Sequence, residues 1–156
     1  MNGCFMGAME IMTDKMRLLT SNDSHSVIQT KRVLVLEDHK PLNNMIEQFL
    51  TVNNYEVVTV GNGAGGLRAV LKEDFDFIIC DMVMPKLSGD MFYLSVRKMK
   101  SHLCSRFIFI TGHVNNLKIN NFIKNVNGIV LYKPFLMEDL LEAVTSVQVR
   151  MPIGRN

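Results

Sequence analysis

The sequence predicts an α/β fold in which helices cover both faces of a parallel β-sheet. Strand-like and helix-like segments alternate five times along the chain. Four short apolar runs, at residues 33–36, 75–80, 107–110 and 129–132, end directly in acidic, hydroxyl or basic residues. Because the carboxyl ends of parallel strands share one edge of the sheet, these end residues are expected to converge there.

A helix and a further strand are predicted between the first two apolar runs. Pro41 suits the first turn of a helix, and apolar residues then recur at helical spacing up to the Asn-Asn pair at 53–54. Residues 55–60 follow as a strand and residues 61–63 as a turn. A short second helix comes next, weakened by the glycine pair at 65–66. Its apolar residues are Leu67, Val70 and Leu71.

The second half of the chain carries three more helical patterns. A loop at residues 84–89 precedes the third helix, whose apolar residues are Met91, Phe92, Leu94, Val96 and Met99. The fourth is an Asn-rich segment from about residue 115 to residue 125, for which Gly128 is a good stop. The last runs from about residue 136 to residue 149. Its inward-facing residues are expected to be Leu140, Leu141, Val144 and Val147.

Length and composition suit one domain with a sizeable core, since the chain has 156 residues, 47% of them hydrophobic and 21% charged. The formal net charge of +2, without a basic cluster, gives no argument for nucleic-acid binding. No apolar run approaches the roughly 18 residues of a membrane span, and the N-terminus lacks the pattern of a signal peptide. The odd set Cys4, Cys80 and Cys104 is expected to be free thiols in a reducing cytoplasm.

The chain divides into an N-terminal extension or linker (residues 1–30), a globular domain (31–150) and a short tail (151–156). In the extension, a heptad-like stripe predicts either an amphipathic helix for pairing or docking or a loosely ordered segment. The stripe consists of Phe5, Met9, Met12, Met16 and Leu19. Because no second domain follows, the expected forms are a stand-alone domain or an excised part of a larger protein.

The residues at the predicted sheet edge have chemistry suited to a divalent cation and a phosphoryl group. Glu37 and Asp38 follow the first run, Asp81 the second, Thr111 the third and Lys133 the fourth. Carboxylate oxygens are ligands that a hard cation such as Mg²⁺ prefers, and a hydroxyl and an ammonium group bind phosphoryl oxygens. A simpler interpretation is that the acidic pair caps the first helix and the others are ordinary strand-end or surface residues.

Four short motifs occur in order along the chain, at residues 33–38, 80–85 with Gly89, 109–112 and 132–135. Thr111 comes 30 residues after Asp81, and Lys133 comes 22 residues after Thr111. In these motifs and spacings the chain resembles a response-regulator receiver domain of two-component signalling, of the stand-alone chemotaxis type. The resemblance implies a flavodoxin-like, doubly wound five-stranded parallel sheet in the order 2-1-3-4-5 with five helices.

The resemblance also implies a chemistry. Asp81 would be the phosphoacceptor, with Thr111 and Lys133 binding the phosphoryl oxygens. The chain would not be a conventional enzyme, although it would catalyse its own Mg²⁺-dependent phosphorylation and dephosphorylation, with Mn²⁺ as a substitute cation. The implied metal ligands are Glu37 (mostly through water), Asp38, Asp81 and the backbone carbonyl of Val83.

Two departures from the family pattern concern the conformational switch and the lifetime of the phosphoryl group. Receivers usually place an aromatic residue or histidine three positions before the lysine, where it acts with Thr111 as a switch, and here that position is Val130. Either the switch is absent, or Tyr132 on the same strand face partly replaces it. Val83 and His113 flank the implied path of the hydrolytic water. Because valine cannot orient water, slow self-hydrolysis is predicted.

The leading functional prediction is a single-domain response regulator that accepts a phosphoryl group from a sensor histidine kinase or a histidine phosphotransfer protein. It would relay the group or bind a downstream target protein in the cytoplasm, as a monomer or weak homodimer, without nucleic-acid or membrane partners. The alternative is a degenerate receiver acting as a phosphorylation-independent interaction module, which Val130 mildly favours. A third class is an unrelated flavodoxin-like binding domain or an aspartyl-phosphate phosphohydrolase, although a hydrolase needs a second acid after Asp81 and only Asp90 is near.

Overall fold

The computed structural model describes residues 30–150, which contain one five-stranded parallel sheet and five α-helices. The strands are β1 (Lys31–Leu36), β2 (Tyr55–Val60), β3 (Phe77–Asp81), β4 (Phe107–Thr111) and β5 (Ile129–Tyr132). The helices are α1 (Lys40–Val52), α2 (Gly63–Lys72), α3 (Gly89–Met99), α4 (Leu117–Asn125) and α5 (Met137–Arg150), with a 3₁₀ helix at Ser101–Arg106. The strands lie in the order β2-β1-β3-β4-β5, so the predicted fold class and strand order are confirmed.

Helices cover both faces of the sheet because the central strands are apolar on both sides. Side chains alternate between the two faces along each strand. One face packs against α1 and α5 through Val33, Val35, Phe77, Ile79, Ile108 and Ile110. The other packs against α2, α3 and α4 through Leu34, Leu36, Ile78, Cys80, Phe107 and Phe109. Burial on both faces explains why β1, β3 and β4 read as continuous apolar runs in the sequence.

The end of α4 differs from the prediction in one detail. Asn127, not Gly128, adopts the left-handed conformation, with φ of 51°. The backbone N–H of Asn127 donates to the Lys124 carbonyl, and that of Gly128 donates to the Ile123 carbonyl at 3.0 Å, which together end the helix in a Schellman motif. Gly128 is required for packing instead, since a Cβ there would lie 2.6 Å from the ring of Phe109.

One strand boundary, one short helix and one burial assignment also differ from the sequence analysis. Strand β3 begins at Phe77, because Asp76 instead forms a reciprocal pair of hydrogen bonds with the backbone of Arg32. The 3₁₀ helix was not predicted, as its short polar sequence has no helical periodicity. On α5 the buried residue beside Leu140 and Val144 is Ala143, whereas Leu141 is only half-buried.

The N-terminal stripe, Cys4 and the tail at 151–156 lie outside the described residues, so the predictions made for them remain predictions. Cys80 and Cys104 are free thiols, as expected. Burial, followed by the charge of Asp81, raises the pKa of the Cys80 thiol well above its usual value, which makes Cys80 an inert core residue. Within residues 30–150, no helix is long and apolar enough to cross a membrane.

Candidate functional site

The polar residues singled out in the sequence lie together at the carboxyl edge of the sheet. Asp81 ends β3 and Thr111 ends β4, while Glu37 follows β1 and Lys133 follows β5 directly. Strand alternation assigns Glu37, Asp81 and Lys133 to one side of the sheet and Thr111 to the other. The crevice at this edge therefore has acidic groups and an amine on one side and a hydroxyl on the other.

Lys133 forms ion pairs with two buried carboxylates. Its Nζ lies 2.7 Å from Oε2 of Glu37 and 2.5 Å from Oδ2 of Asp81. Glu37 is 1% exposed and Asp81 5% exposed, so the pairing takes place with little solvent. Burial lowers the pKa of Lys133, but hydrogen bonds to Asp81 and Glu37 and their negative charge outweigh it, so the net effect is a raised pKa. The amine is therefore a fixed positive charge between the two carboxylates at neutral pH.

Three carboxylates lie close enough to share a cation. One oxygen from each of Glu37, Asp38 and Asp81 falls within 4.8 Å of the others. Glu37 and Asp81 are buried, whereas Asp38 is exposed to solvent at the mouth of the site. The donor set is entirely oxygen, carries up to three negative charges against the single charge of Lys133, and has one open side. These properties fit a hard divalent cation that keeps some of its water.

The backbone after β3 holds Asp81 in position. The N–H of Val83 donates to Oδ1 of Asp81 at 2.9 Å, and the N–H of Met82 donates to the Ile110 carbonyl at 2.9 Å. Gly89, the first residue of α3, folds back so that its N–H donates to the Met82 carbonyl at 3.1 Å. A Cβ on Gly89 would lie 2.5 Å from the carbonyl oxygen of Asp81, so only glycine fits here.

Substitution of Gly89 by alanine is expected to lower the free energy of unfolding by about 3 kcal/mol, the upper range for an overpacked core position, because the contact is with backbone. Urea unfolding measures this change. Gly61→Ala is the matched control, since nothing lies within 4 Å of a Cβ at that position. Equal stability of the two variants would contradict the proposed close packing of α3 against the end of β3.

Glu37 and Asp38 do not cap α1, so this simpler interpretation is wrong. The N-cap residue is His39, which makes no side-chain capping hydrogen bond. The N–H of His39 instead donates to Oε1 of Glu37 at 3.0 Å, and the N–H of Glu37 donates to the Val60 carbonyl at 3.1 Å. The acidic pair therefore faces the crevice and not the helix end.

Thr111 is fully buried, and its hydroxyl oxygen accepts a hydrogen bond from the N–H of His113 at 3.1 Å. Because that contact uses an acceptor lone pair, the hydroxyl hydrogen remains available to donate. The Thr111 carbonyl accepts from the N–H of Lys133 at 2.9 Å, which ties β4 to the residue that follows β5. A Cβ on Gly112 would meet only the Lys133 Cβ at 3.9 Å, so packing alone does not require glycine there.

The other four predicted residues are Val83, His113, Val130 and Tyr132. Within residues 30–150 their side chains form no hydrogen bonds, although the backbone N–H groups of Val83 and His113 contact Asp81 and Thr111. The side chain of Val83 is 48% exposed, and His113 is also exposed. Val130 is half-buried against the core that contains Phe109, whereas Tyr132 is 39% exposed. Tyr132 pairs in register with Thr111 in the parallel ladder, so both side chains belong to the same face of the sheet.

Sequence reasoning missed Asn43, which is buried one helical turn into α1. Its Nδ2 donates a 2.8 Å hydrogen bond to the backbone carbonyl of Glu37. The available signal was periodicity, since Asn43 is spaced three and seven residues from the apolar positions Ile46 and Leu50 of the buried helix face. A polar residue at such a position indicates a specific partner.

This fold and this edge define a class of protein. The model of the response regulator receiver domain matches residues 33–145, and the chain belongs to that family. It is therefore a receiver domain of two-component signalling and not an unrelated flavodoxin-like protein. Receiver domains are phosphoacceptors with weak autophosphatase activity, they bind Mg²⁺ at an acidic pocket, and they interact with histidine kinases and downstream targets.

Individual relatives are similar at moderate identity. The response regulator ArlR of Staphylococcus aureus is 29% identical over 123 residues, which cover 78% of this chain and 54% of ArlR. The chain thus spans about half the length of the curated relatives it matches. The chemotaxis response regulator CheY4 of Vibrio cholerae is 30% identical, with a TM-score of 0.69 over 76% of this chain and 99% of that chain. A CheY-like receiver domain protein of Methanospirillum hungatei shares the fold at 23% identity, with a TM-score of 0.71 over 78% of this chain and 97% of that chain.

Proposed function

We propose that this receiver domain is an active phosphoacceptor, that Asp81 takes a phosphoryl group from a sensor histidine kinase or a histidine phosphotransfer protein, and that the phosphorylated form binds a target protein. The observation that carries this proposal is the contact of Lys133 with both Glu37 and Asp81 at the carboxyl edge of the sheet. A degenerate receiver has no need for an amine paired with two buried carboxylates, an arrangement that is costly to maintain.

The proposed transfer uses the residues as they are placed. A carboxylate oxygen of Asp81 attacks the phosphorus of a phosphohistidine, the new O–P bond forms as the N–P bond breaks, and the imidazole leaves with the electron pair. Lys133 stabilises negative charge on one phosphoryl oxygen, and the Thr111 hydroxyl donates to another. In phosphoryl transfer, a protein acts mainly by positioning and charge stabilisation, and these fixed groups supply both.

The approach of two anions also requires a cation. Asp38, Asp81 and the carbonyl of Val83 are the proposed direct ligands of Mg²⁺, with Glu37 acting mostly through water. When bound, the ion would supply positive charge that reduces the repulsion between Asp81 and an incoming phosphoryl group. Mn²⁺ prefers the same oxygen ligands and is proposed as a substitute.

Intact mass spectrometry after incubation with phosphoramidate or acetyl phosphate tests the proposed function. With Mg²⁺ present, the protein is expected to gain the mass of one phosphoryl group, and with EDTA it is expected to gain none. No gain under any condition would contradict the phosphoacceptor proposal and favour the interaction module, for which Val130 in place of the usual aromatic residue is the supporting feature.

The lifetime of the phosphorylated protein is proposed to be long, because Val83, whose backbone N–H contacts Asp81 and whose side chain is exposed, carries no group that can orient a water molecule. Val83→Asn is expected to shorten the phosphoryl half-life several-fold, as judged from the loss of the added mass with time. Val114→Asn, in the exposed loop after β4, serves as the control. A wild-type protein that hydrolyses faster than Val83→Asn would contradict this prediction.

Tyr132 is proposed to replace part of the usual switch, because it pairs in register with Thr111 on the same face of the sheet, whereas the usual switch position holds the half-buried Val130. Tyr132→Phe is expected to weaken the difference in partner binding between the phosphorylated and unphosphorylated forms, whereas Val130→Tyr is expected to strengthen it. Titration of a cognate kinase or target domain with and without phosphodonor measures this difference. If neither substitution changes it, the switch proposal is wrong.

The cellular setting is proposed from the family and the match to CheY4. We expect single-domain action, in which the phosphorylated surface binds the target directly or passes the group on in a phosphorelay. A cytoplasmic location accords with the free thiols of Cys80 and Cys104. A monomer or weak homodimer is the proposed oligomeric state.

A further inference from the structure

Asn43 is a buried amide on a helix face that is otherwise apolar. It is 8% exposed and lies on the side of α1 that carries Ile46 and Leu50 into the core. Burying an amide costs free energy unless the amide forms hydrogen bonds. A leucine at this position would continue the apolar face without that cost, so the side chain of Asn43 needs a separate explanation.

Asn43 forms its hydrogen bond with the peptide unit between Glu37 and Asp38. Its Nδ2 donates to the carbonyl oxygen of Glu37 at 2.8 Å, and that carbonyl belongs to the peptide unit that joins Glu37 to Asp38. The other groups of Glu37 are held separately, with its N–H on the Val60 carbonyl and its carboxylate on the His39 N–H. Asn43 therefore fixes the peptide unit between Glu37 and Asp38, and this unit sets the direction of the backbone at Asp38 after the end of β1.

The carbonyl oxygen of the Asn43 side-chain amide has no hydrogen-bond partner within residues 30–150. This atom, Oδ1, is buried. An unpaired buried acceptor is unfavourable, so Asn43 contributes little net stability through its two polar atoms. Asn43 and Asn44 line the same cleft beside Glu37 and Asp38, but only Asn43 is buried and bonded to the acidic segment.

We propose that Asn43 is a positioning residue for the cation site, which holds the Glu37–Asp38 peptide so that both carboxylates face Asp81. This inference rests on the proposed function, because it assumes that a divalent cation binds between these carboxylates. Residues that orient metal ligands without touching the metal commonly affect affinity by about 10-fold or more.

Isothermal titration of Mg²⁺ and Mn²⁺ into the wild type, Asn43→Leu, Asn43→Ala and Asn44→Leu tests the proposal. Both Asn43 variants are expected to bind the cations about 10-fold more weakly, while Asn44→Leu binds like the wild type. With phosphoramidate as donor, the Mg²⁺ concentration for half-maximal phosphorylation should rise by the same factor, and the extent at saturating Mg²⁺ should be unchanged. A residue with a purely structural role would instead change the thermal midpoint and leave the affinity as it was.

The outcomes separate the two proposals. If the wild type binds no divalent cation, the proposed function fails and this inference fails with it. If the wild type binds and the Asn43 variants bind equally well, only this inference is overturned. Should neither variant fold, the side-chain amide resonances of the wild type decide: those of Asn43 are expected to shift with Mg²⁺ while those of the exposed Asn121 on α4 stay fixed, and unshifted Asn43 resonances would overturn the inference.

Discussion

Asp81→Asn is expected to abolish phosphorylation by phosphoramidate. The amide is nearly the same size as the carboxylate, but it carries no negative charge and is a poor nucleophile toward phosphorus. The variant should fold, since Oδ1 of the asparagine can still accept from the N–H of Val83. Intact mass spectrometry with Mg²⁺ should show a full phosphoryl adduct on the wild type and none on the variant.

Asp74→Asn is the matched control for this experiment. Asp74 is an exposed carboxylate that pairs with Lys100 beyond the amino end of β3, at the opposite edge of the sheet. Its substitution is expected to leave the adduct unchanged. An adduct that persists in Asp81→Asn, or one that is lost in Asp74→Asn, would place the phosphoacceptor elsewhere.

Lys133→Met is expected to reduce both phosphorylation and stability. The substitution leaves Glu37 and Asp81 as buried carboxylates without their positive partner, which costs about 3 kcal/mol of unfolding free energy near neutral pH. The same loss removes the charge that stabilises a phosphoryl oxygen, so the phosphorylation rate with phosphoramidate should fall about 100-fold, as for the loss of one positioned charge-stabilising group. Urea unfolding and timed mass spectra measure the two effects.

The stability effect of Lys133→Met should depend on pH in a defined direction. The pKa of Lys133 is raised in the folded protein above its ordinary value of 10.5. The contribution of Lys133 is therefore fully present below pH 10.5 and is lost as the pH rises through the folded pKa. The difference in unfolding free energy between the wild type and Lys133→Met should disappear at strongly alkaline pH. The exposed control Lys98→Met should unfold with the same free energy as the wild type at every pH. A constant difference for Lys133→Met would mean that lost packing, not charge, causes the effect.

The general arrangement of the site could be predicted from the sequence because it depends only on parallel strands ending at one edge. Asp81, Thr111 and Lys133 each stand at the end of an apolar run, and the sheet brings them together whatever the detailed loop structure is. Period-2 alternation then decides which side chains share a side of the crevice, and this too can be counted from the sequence.

Details that depend on tertiary contacts could not be predicted. The bond between Lys133 and Glu37 spans 96 residues and requires the strand order, which the helix and strand pattern does not determine. Gly128 is required because the ring of Phe109 leaves no room for a Cβ, while Asn127 is the residue in the left-handed conformation, and the contact with Phe109 depends on a strand distant in sequence. The role of Asn43 could not be predicted, because a single polar residue in an apolar helical pattern does not indicate which group it contacts.

The most direct test of the central claim is to locate the phosphoryl group chemically. Wild-type protein is treated with phosphoramidate and Mg²⁺, and borohydride then reduces any aspartyl phosphate to homoserine, which peptide mass spectrometry can place in the sequence. We predict homoserine at position 81 in the Mg²⁺ sample and none after EDTA. Homoserine at another acidic residue, or none in either sample, would contradict the assignment of Asp81 as the phosphoacceptor.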